Sequence, residues 1–334
     1  MSERLRRLVS GLAGHRVIVL GDIILDEYVI GDARRISREA PIPVLELRER
    51  RDIPGGAANP AVNVATLGST ALPLAIIGQD DAGQRLRAAL AAHQIDTHGL
   101  VEVPDRPTTL KTRILAQMGL RFPQQVARID TLSRAPISAA AEAEVLRRLD
   151  NLLPQAGAVL VSDYQGGLLT SSLVAALQSR ASVSGVVLAA DAQGHLEKYV
   201  GFDLVKCNAD DAAEFLRREL RSDEDFAAAG LLLFERLAVR QAMVITRGAD
   251  GATLAQQGGV MHCPSPRVSN VFDTVGAGDT WIAVMTLAHL TGAAADEAVM
   301  LANYASGIVV QHVGNYAPAR EELLHFFEDE PNEA

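Results

Sequence analysis

Lysine is nearly missing from this chain of 334 residues: of 31 basic side chains, only Lys111, Lys198 and Lys206 are lysines. None of them follows a glycine, which excludes the G-x-x-x-x-G-K-[ST] phosphate loop, and no G-x-G-x-x-G dinucleotide fingerprint occurs either. Two cysteines, Cys207 and Cys263, are too few for a disulfide framework or a cysteine-rich zinc site, and the eight histidines show no H-E-x-x-H spacing. No apolar run approaches the roughly 18 residues of a membrane span, and the charged start Met-Ser-Glu-Arg-Leu-Arg-Arg has no signal-peptide core. A cytoplasmic protein without a membrane partner is the expectation. The net charge of −10 argues against nucleic acid as a partner, because the mean field repels phosphate. Any bound anion must be drawn by a local site.

What is present is a hydrophobic content of 48%, arranged in short apolar runs that end in turn or polar residues. The runs 16–20, 72–77, 158–161, 186–190, 204–205 and 242–245 read as strands covered on both faces. Helix-like stretches 81–93, 138–153, 171–181 and 223–240 lie between them. This alternation predicts a mostly parallel central sheet flanked by helices, with ligands beyond the carboxyl ends of the strands, where Asp22, Asp163, Asp191, Asn208 and Thr246 fall. Residues 27–52 and 108–130 interleave β-branched and polar residues with Pro41, Pro43 and Pro123, as half-exposed antiparallel strands do. One domain over residues 1–330 is expected, with a small antiparallel β lid drawn from 27–54 and 106–131 and a frayed acidic tail at 328–334.

The strongest local signal is Asp273-Thr-Val-Gly276-Ala277-Gly278-Asp279 running into an apolar helix. Glycines at a helix start let backbone amides approach an anion, and the helix dipole favours negative charge there. An aspartate at that place is a poor phosphate ligand but a sensible base beside one. The same residues also suit a tight loop with an N-capping aspartate, and local physics does not separate the two.

The motif resembles the C-terminal signature of the ribokinase-like (PfkB) family of ATP-dependent sugar and nucleoside kinases. An N-terminal counterpart stands in the matching order at Gly55-Gly56-Ala-Ala-Asn59, followed by Asn63 to Gly68. The resemblance implies a ribokinase-like three-layer α/β fold using ATP and Mg²⁺, with Asp279 as general base and the amides of Gly276, Ala277 and Gly278 as anion hole. It places Asp26, Gly55, Gly56 and Asn59 around the sugar, and Asn208, Thr246, Gly248, Gly251 and Asn303 around the nucleotide. Asp211 stands for the family's glutamate near magnesium, acting through water with a shorter reach, and Asp273 would lie near a monovalent cation such as K⁺. Asn208 also suits a plain helix cap.

Arg35 to Val44, with Thr108 to Arg113, resembles the bacterial heptose 7-phosphate kinases. That likeness implies a phosphorylated sugar held by Arg35, Lys111 and Arg113, and a homodimer formed through the lid. The lysines of those relatives are replaced by Gly166 and Gln193, their T-P-N reads Lys206-Cys207-Asn208, and their G-T-x-x-V segment near the nucleotide reads Val313-Gly314-Asn315-Tyr316-Ala317-Pro318. The nucleotidyltransferase domain fused to some relatives is absent from the sequence, so kinase activity alone is expected. A kinase for an unphosphorylated sugar or nucleoside (ribose, fructose or adenosine) and a catalytically weak nucleotide or sugar sensor are the alternatives.

Overall fold

The structure, a computed structural model, describes residues 3–119, 123–268 and 270–329. The chain opens with α1 (Glu3–Gly11) and β1 (Arg16–Gly21), then a long hairpin of β2 (Ile23–Ile36) and β3 (Pro43–Gly56). There follow α2 (Ala58–Thr66), β4 (Thr70–Gly78), α3 (Asp81–Ala92), β5 (Leu100–Val103), β6 (Leu110–Gln117), β7 (Gln124–Thr131) and α4 (Ala139–Leu152). The second half runs β8 (Ala158–Ser162), α5 (Ser171–Ser184), β9 (Val187–Asp191), β10 (Leu204–Asn208), α6 (Ala209–Leu216), α7 (Asp223–Arg236) and β11 (Ala242–Thr246). It closes with β12 (Ala252–Gln256), β13 (Gly259–Cys263), α8 (Ala277–Leu290), α9 (Ala295–Val309) and α10 (Arg320–Asp329).

Nine strands form one sheet in the order β13-β12-β11-β10-β9-β8-β1-β4-β5, parallel except for β12 and β13 at one edge. β1 lies between β4 and β8, in register Val17 with Ala71 on one side and with Ala158 on the other. Both neighbours follow it in the chain but lie on opposite sides of it, so the direction of winding reverses there and a crevice opens beyond the strand ends. The continuous apolar runs are buried along their length, as in β1 and β8. Such strands exclude water only when both faces are covered by helices. On one side α2 and α9 both pack on α8, and elsewhere α4 packs on α5.

β5, β12 and β13 had no counterpart in the sequence reading, because four- and five-residue strands carry too little periodicity to stand out from loops. The helix expected over 223–240 ends at Arg236, where the chain leaves helical geometry and Ala238 takes a left-handed φ of 47°. The lid is a separate four-stranded sheet, β3-β2-β6-β7. Its two hairpins are antiparallel and join through a parallel β2–β6 pair. The acidic tail lies largely outside the described residues. No described helix is long and apolar enough to cross a membrane.

α8 is buried from Asp279 to Ala288, so its polar side chains need partners inside the protein. Thr280 Oγ1 donates to Asn63 Oδ1 at 2.8 Å, and Asn63 Nδ2 donates to the Asn59 carbonyl at 3.0 Å, which ties α8 to α2. Thr280→Val keeps the shape but leaves the Asn63 acceptor unpaired. Urea unfolding should show a loss of about 1–3 kcal/mol, and an unchanged midpoint would mean that this bond does not hold the helices together.

Candidate active site

Asp279 sits in the first turn of α8 and is 6% exposed. Its two oxygens are held by donors from separate elements. Asn59 Nδ2, from α2, donates to Oδ2 at 2.8 Å, and the Tyr164 hydroxyl, just past β8, donates to Oδ1 at 2.8 Å. Burial and the nearby Asp191 push the carboxyl up to about 7, against the lowering effect of Asn59, Tyr164 and Lys206. A group poised there can take and return a proton at neutral pH. The loop before it is tight: Gly276 has φ 81°, and a Cβ on it would lie 2.7 Å from Asn59 Nδ2. The amides of Gly276 and Gly278 have no backbone acceptor among the described residues, whereas that of Ala277 donates to the Thr274 carbonyl at 3.3 Å. Asp273 braces the loop, its oxygens accepting from the amides of Val275 at 3.0 Å and Gly314 at 2.9 Å. That is the geometry at the residue expected near a monovalent cation.

The carboxylates at the strand ends do different jobs. Asp22 accepts from the amides of Tyr164, Gly166 and Leu168, fixing the segment that carries Tyr164. Asp163 accepts from Lys198 at 2.8 Å and from the Tyr199 hydroxyl at 2.6 Å. Asp191 is paired with Lys206, whose Nζ lies 2.9 Å from each of its oxygens.

Asp26, on the buried lower part of β2, lies opposite Lys111 of β6 in the lid register. Arg113 donates to its Oδ1 at 2.5 Å, and Asn315 Nδ2 to its Oδ2 at 3.2 Å. Gly55 passes so close that a Cβ would lie 2.0 Å from Asp26 Oδ2, so only glycine fits. Lys111 Nζ stands 5.6 Å from the centre of the Tyr164 ring, and burial pulls its pKa down. Asp26, Gly55, Lys111 and Arg113 are therefore neighbours, Tyr164 links Lys111 to Asp279 and its partner Asn59, and Gly56 turns β3 into α2 beside the Asp22 carbonyl. Arg35 is not brought to them. It is exposed near the lid tip opposite Val44, about 30 Å along β2 from Asp26 at the usual strand rise.

On the other side of the glycine loop lies a groove of about 1270 Å³, lined by Asn208, Thr246, Gly248, Gly251, Gly278 and Asn303 among others. Thr246 Oγ1 donates to the Cys207 carbonyl at 3.4 Å, and Gly248 and Gly251 shape the turn between β11 and β12. Asn303 is a wall tie: Oδ1 accepts from Trp281 Nε1 at 2.8 Å, and Nδ2 donates to the carbonyls of Cys263 and Pro264. Asn303 thus lines the groove while its amide is held by protein groups. Asn208 Oδ1 caps α6, accepting from the Asp211 amide at 2.8 Å. Asp211 Oδ1 accepts from Gly194, but Oδ2 is buried without a partner. Asp211 itself does not line the groove, but an orphaned carboxylate oxygen next to its lining residues Asn208 to Asp210 fits a hydrated magnesium ion. No group of three or more His, Cys, Asp or Glu side chains that could hold a metal occurs among the described residues, so Asp211 would be one ligand beside substrate phosphates.

Tyr164, Lys206 and Asn315 went unassigned in the sequence reading. Tyr164 could have been found from its place at the end of a buried strand. Asn315 lies in the segment read as nucleotide-side, and the structure puts it against Asp26 and the Pro54 carbonyl instead.

The sequence pattern of the pfkB family carbohydrate kinases matches residues 15–322. A protein of Hyphomonas neptunium named bifunctional protein HldE is 37% identical over 324 residues, covering 97% of this chain and 65% of that protein. Its namesake in Paramagnetospirillum magneticum is 37% identical over 319 residues, covering 95% and 64%. The chain thus spans just under two thirds of the length of these relatives. Ribokinase of Arabidopsis thaliana, solved with ribose and ATP, superposes with a TM-score of 0.72 at 19% identity, covering 95% of this chain and 100% of that one. Phosphofructokinase-2 of Escherichia coli, solved with substrates and products, gives 0.77 at 19% identity, covering 94% and 98%. At these identities the two structures bear on the ribokinase-like fold alone.

Asp279 gives a prediction independent of any substrate. Folded, it keeps its proton up to about pH 7, whereas an unfolded aspartate loses it near pH 4. The folded state holds the extra proton between those values, so this group makes stability fall as pH rises through that window. Asp279→Asn removes the fall. Its melting temperature should therefore gain on the wild type from about pH 4 to 7 and then run parallel. A gap that does not vary with pH would mean that Asp279 titrates normally.

Proposed function

The chain belongs to the pfkB family of carbohydrate kinases, and from that premise we propose that it transfers a phosphoryl group from ATP to a hydroxyl of a sugar phosphate, with a heptose 7-phosphate as first choice. The observation that carries this reading is the position of Asp279, between the glycine-loop amides and the pocket where Asp26, Lys111 and Arg113 meet. The acceptor hydroxyl would lie against Asp279, which takes its proton as the oxygen attacks phosphorus. The loop amides face the charge growing on the transferring group. Magnesium held through Asp211 would supply neutralisation of the phosphate charge. Lys111 and Arg113 offer positive charge to the phosphate already on the sugar, and Asp26 aims Arg113. Arg35 serves this site only from a second copy, because in its own chain it lies at the far end of the lid.

A dimer formed through the lid is part of the proposal. Ile36, Ile42, Leu47, Met118, Val126 and Ile129, on the lid strands and their turns, are large apolar side chains left exposed, as an uncovered interface would leave them. The cytoplasm is the compartment consistent with ATP as donor.

ADP release measured against heptose 7-phosphate, sedoheptulose 7-phosphate, ribose, fructose and adenosine tests the substrate class. Preference for a neutral acceptor would overturn the sugar-phosphate reading, and release with none of them would favour a sensor. Asp279→Asn should lower kcat by about 10³-fold or more. In the wild type kcat/KM should fall about tenfold per pH unit below about 7, the side on which Asp279 of the free protein is protonated. Near-normal turnover of the variant would remove Asp279 as the base. Lys111→Met should raise KM for the sugar phosphate about tenfold and leave kcat nearly unchanged. Light scattering should show Leu47→Arg with Ile129→Arg as a monomer and the wild type as a dimer, and two monomers would refute the lid interface.

A further inference from the structure

Lys206 interrupts the apolar run of β10, its side chain 8% exposed, where the strand alone would call for a hydrophobic residue. Its only described partner is Asp191, which can occupy at most two of its three N–H donors. The ammonium also lies against the glycine loop: a Cβ built on Gly278 would sit 2.9 Å from Nζ. Gly278 lines the nucleotide-side groove and is followed by Asp279. Burial alone would discharge the amine, but Asp191 more than offsets this and keeps it a cation.

The groove's other basic lining is Arg221, Arg247 and Arg267, and the positions where the heptose kinases carry lysines supply no charge at the glycine loop. At Gly166 a Cβ would lie 2.7 Å from Asp22 Cγ, so no long side chain fits there. Gln193 is uncharged, and its carbonyl is taken by Gln165 Nε2 at 2.9 Å. Lys198 is spent on Asp163. A buried ion pair holding two strands together is generally no better than an apolar pair of the same size. Strand pairing therefore does not account for Lys206, whereas a donor aimed at a phosphate does.

We infer that Lys206 is a catalytic residue of the transfer: its ammonium, held by Asp191, contacts the phosphoryl group at the glycine loop and neutralises charge that the loop amides leave unbalanced. This inference rests on the kinase reading and adds to it a residue that this chain places on a central strand.

The test compares Asp191→Asn/Lys206→Gln, a neutral pair that can still hydrogen-bond across β9 and β10, with Asp191→Asn and Lys206→Arg alone. Melting temperature and AMP binding by calorimetry report on the fold and the nucleotide groove. The double variant should keep both and lose about 100-fold or more in kcat. Asp191→Asn, which removes the carboxylate that keeps the buried amine charged, should lose about as much as the double variant, and Lys206→Arg should keep at least a tenth of the turnover. A double variant, or an Asp191→Asn variant, within threefold of wild type overturns the assignment. If the double variant does not fold, Lys206→Arg decides: turnover no higher than that of Asp279→Asn in a folded protein overturns it. A wild-type chain that releases no ADP with any acceptor refutes the kinase reading itself, before any variant is compared, and the inference falls with it.

Discussion

Burying a carboxylate away from water costs free energy unless donors replace the solvent, and the arrangement around Asp279 follows from that cost. Two neutral donors, Asn59 and Tyr164, hold its oxygens, and no cation pairs with it directly. A direct salt bridge would have fixed it as a permanent anion. The result is a carboxyl poised near neutrality beside a helix N-terminus. Each donor depends on further contacts: Asn59 on Asn63 and Thr280, and Tyr164 on the amide clamp made by Asp22. Much of the polar network at the strand ends exists to hold this one group.

The same economy explains the placement of the three lysines. In a chain carrying a net charge of −10, Lys111 and Lys206 lie at the site, and Lys198 and Lys206 are tied to strand-end aspartates. Lys198 neutralises Asp163 and Lys206 pairs with Asp191, while Lys111 leans over Tyr164 without a carboxylate bond of its own. Lys111 is partly buried, and that burial draws it toward the neutral form.

β2 divides its work along its length. Its lower residues are buried and carry Asp26 into the pocket, while its upper residues are exposed and carry Arg35 away from it. One strand therefore links the pocket around Asp26 to the outer surface of the lid.

Much of the architecture was readable before any coordinates. Continuous apolar runs ending in aspartate, asparagine or threonine determined the buried parallel strands and which residues would crown them, because period and burial are properties of local sequence. The glycines of 276–278 and Gly55 also marked their places, since close backbone approach leaves a trace in residue type. Roles that depend on a partner distant in sequence were not legible. That Asn303, which lines the groove, also ties Trp281 to two carbonyls could not be read from the sequence. Asn315 read as nucleotide-side but meets Asp26, and Arg35 read with Lys111 and Arg113 but lies at the other end of a strand. Lys206 looked like a lone departure until folding set it between Asp191 and Gly278. Local sequence determined the strands, turns and chemical types. The tertiary structure alone decided which side chains meet, because a hydrogen bond or ion pair is set by distances of about 3 Å between segments that sequence order does not bring together.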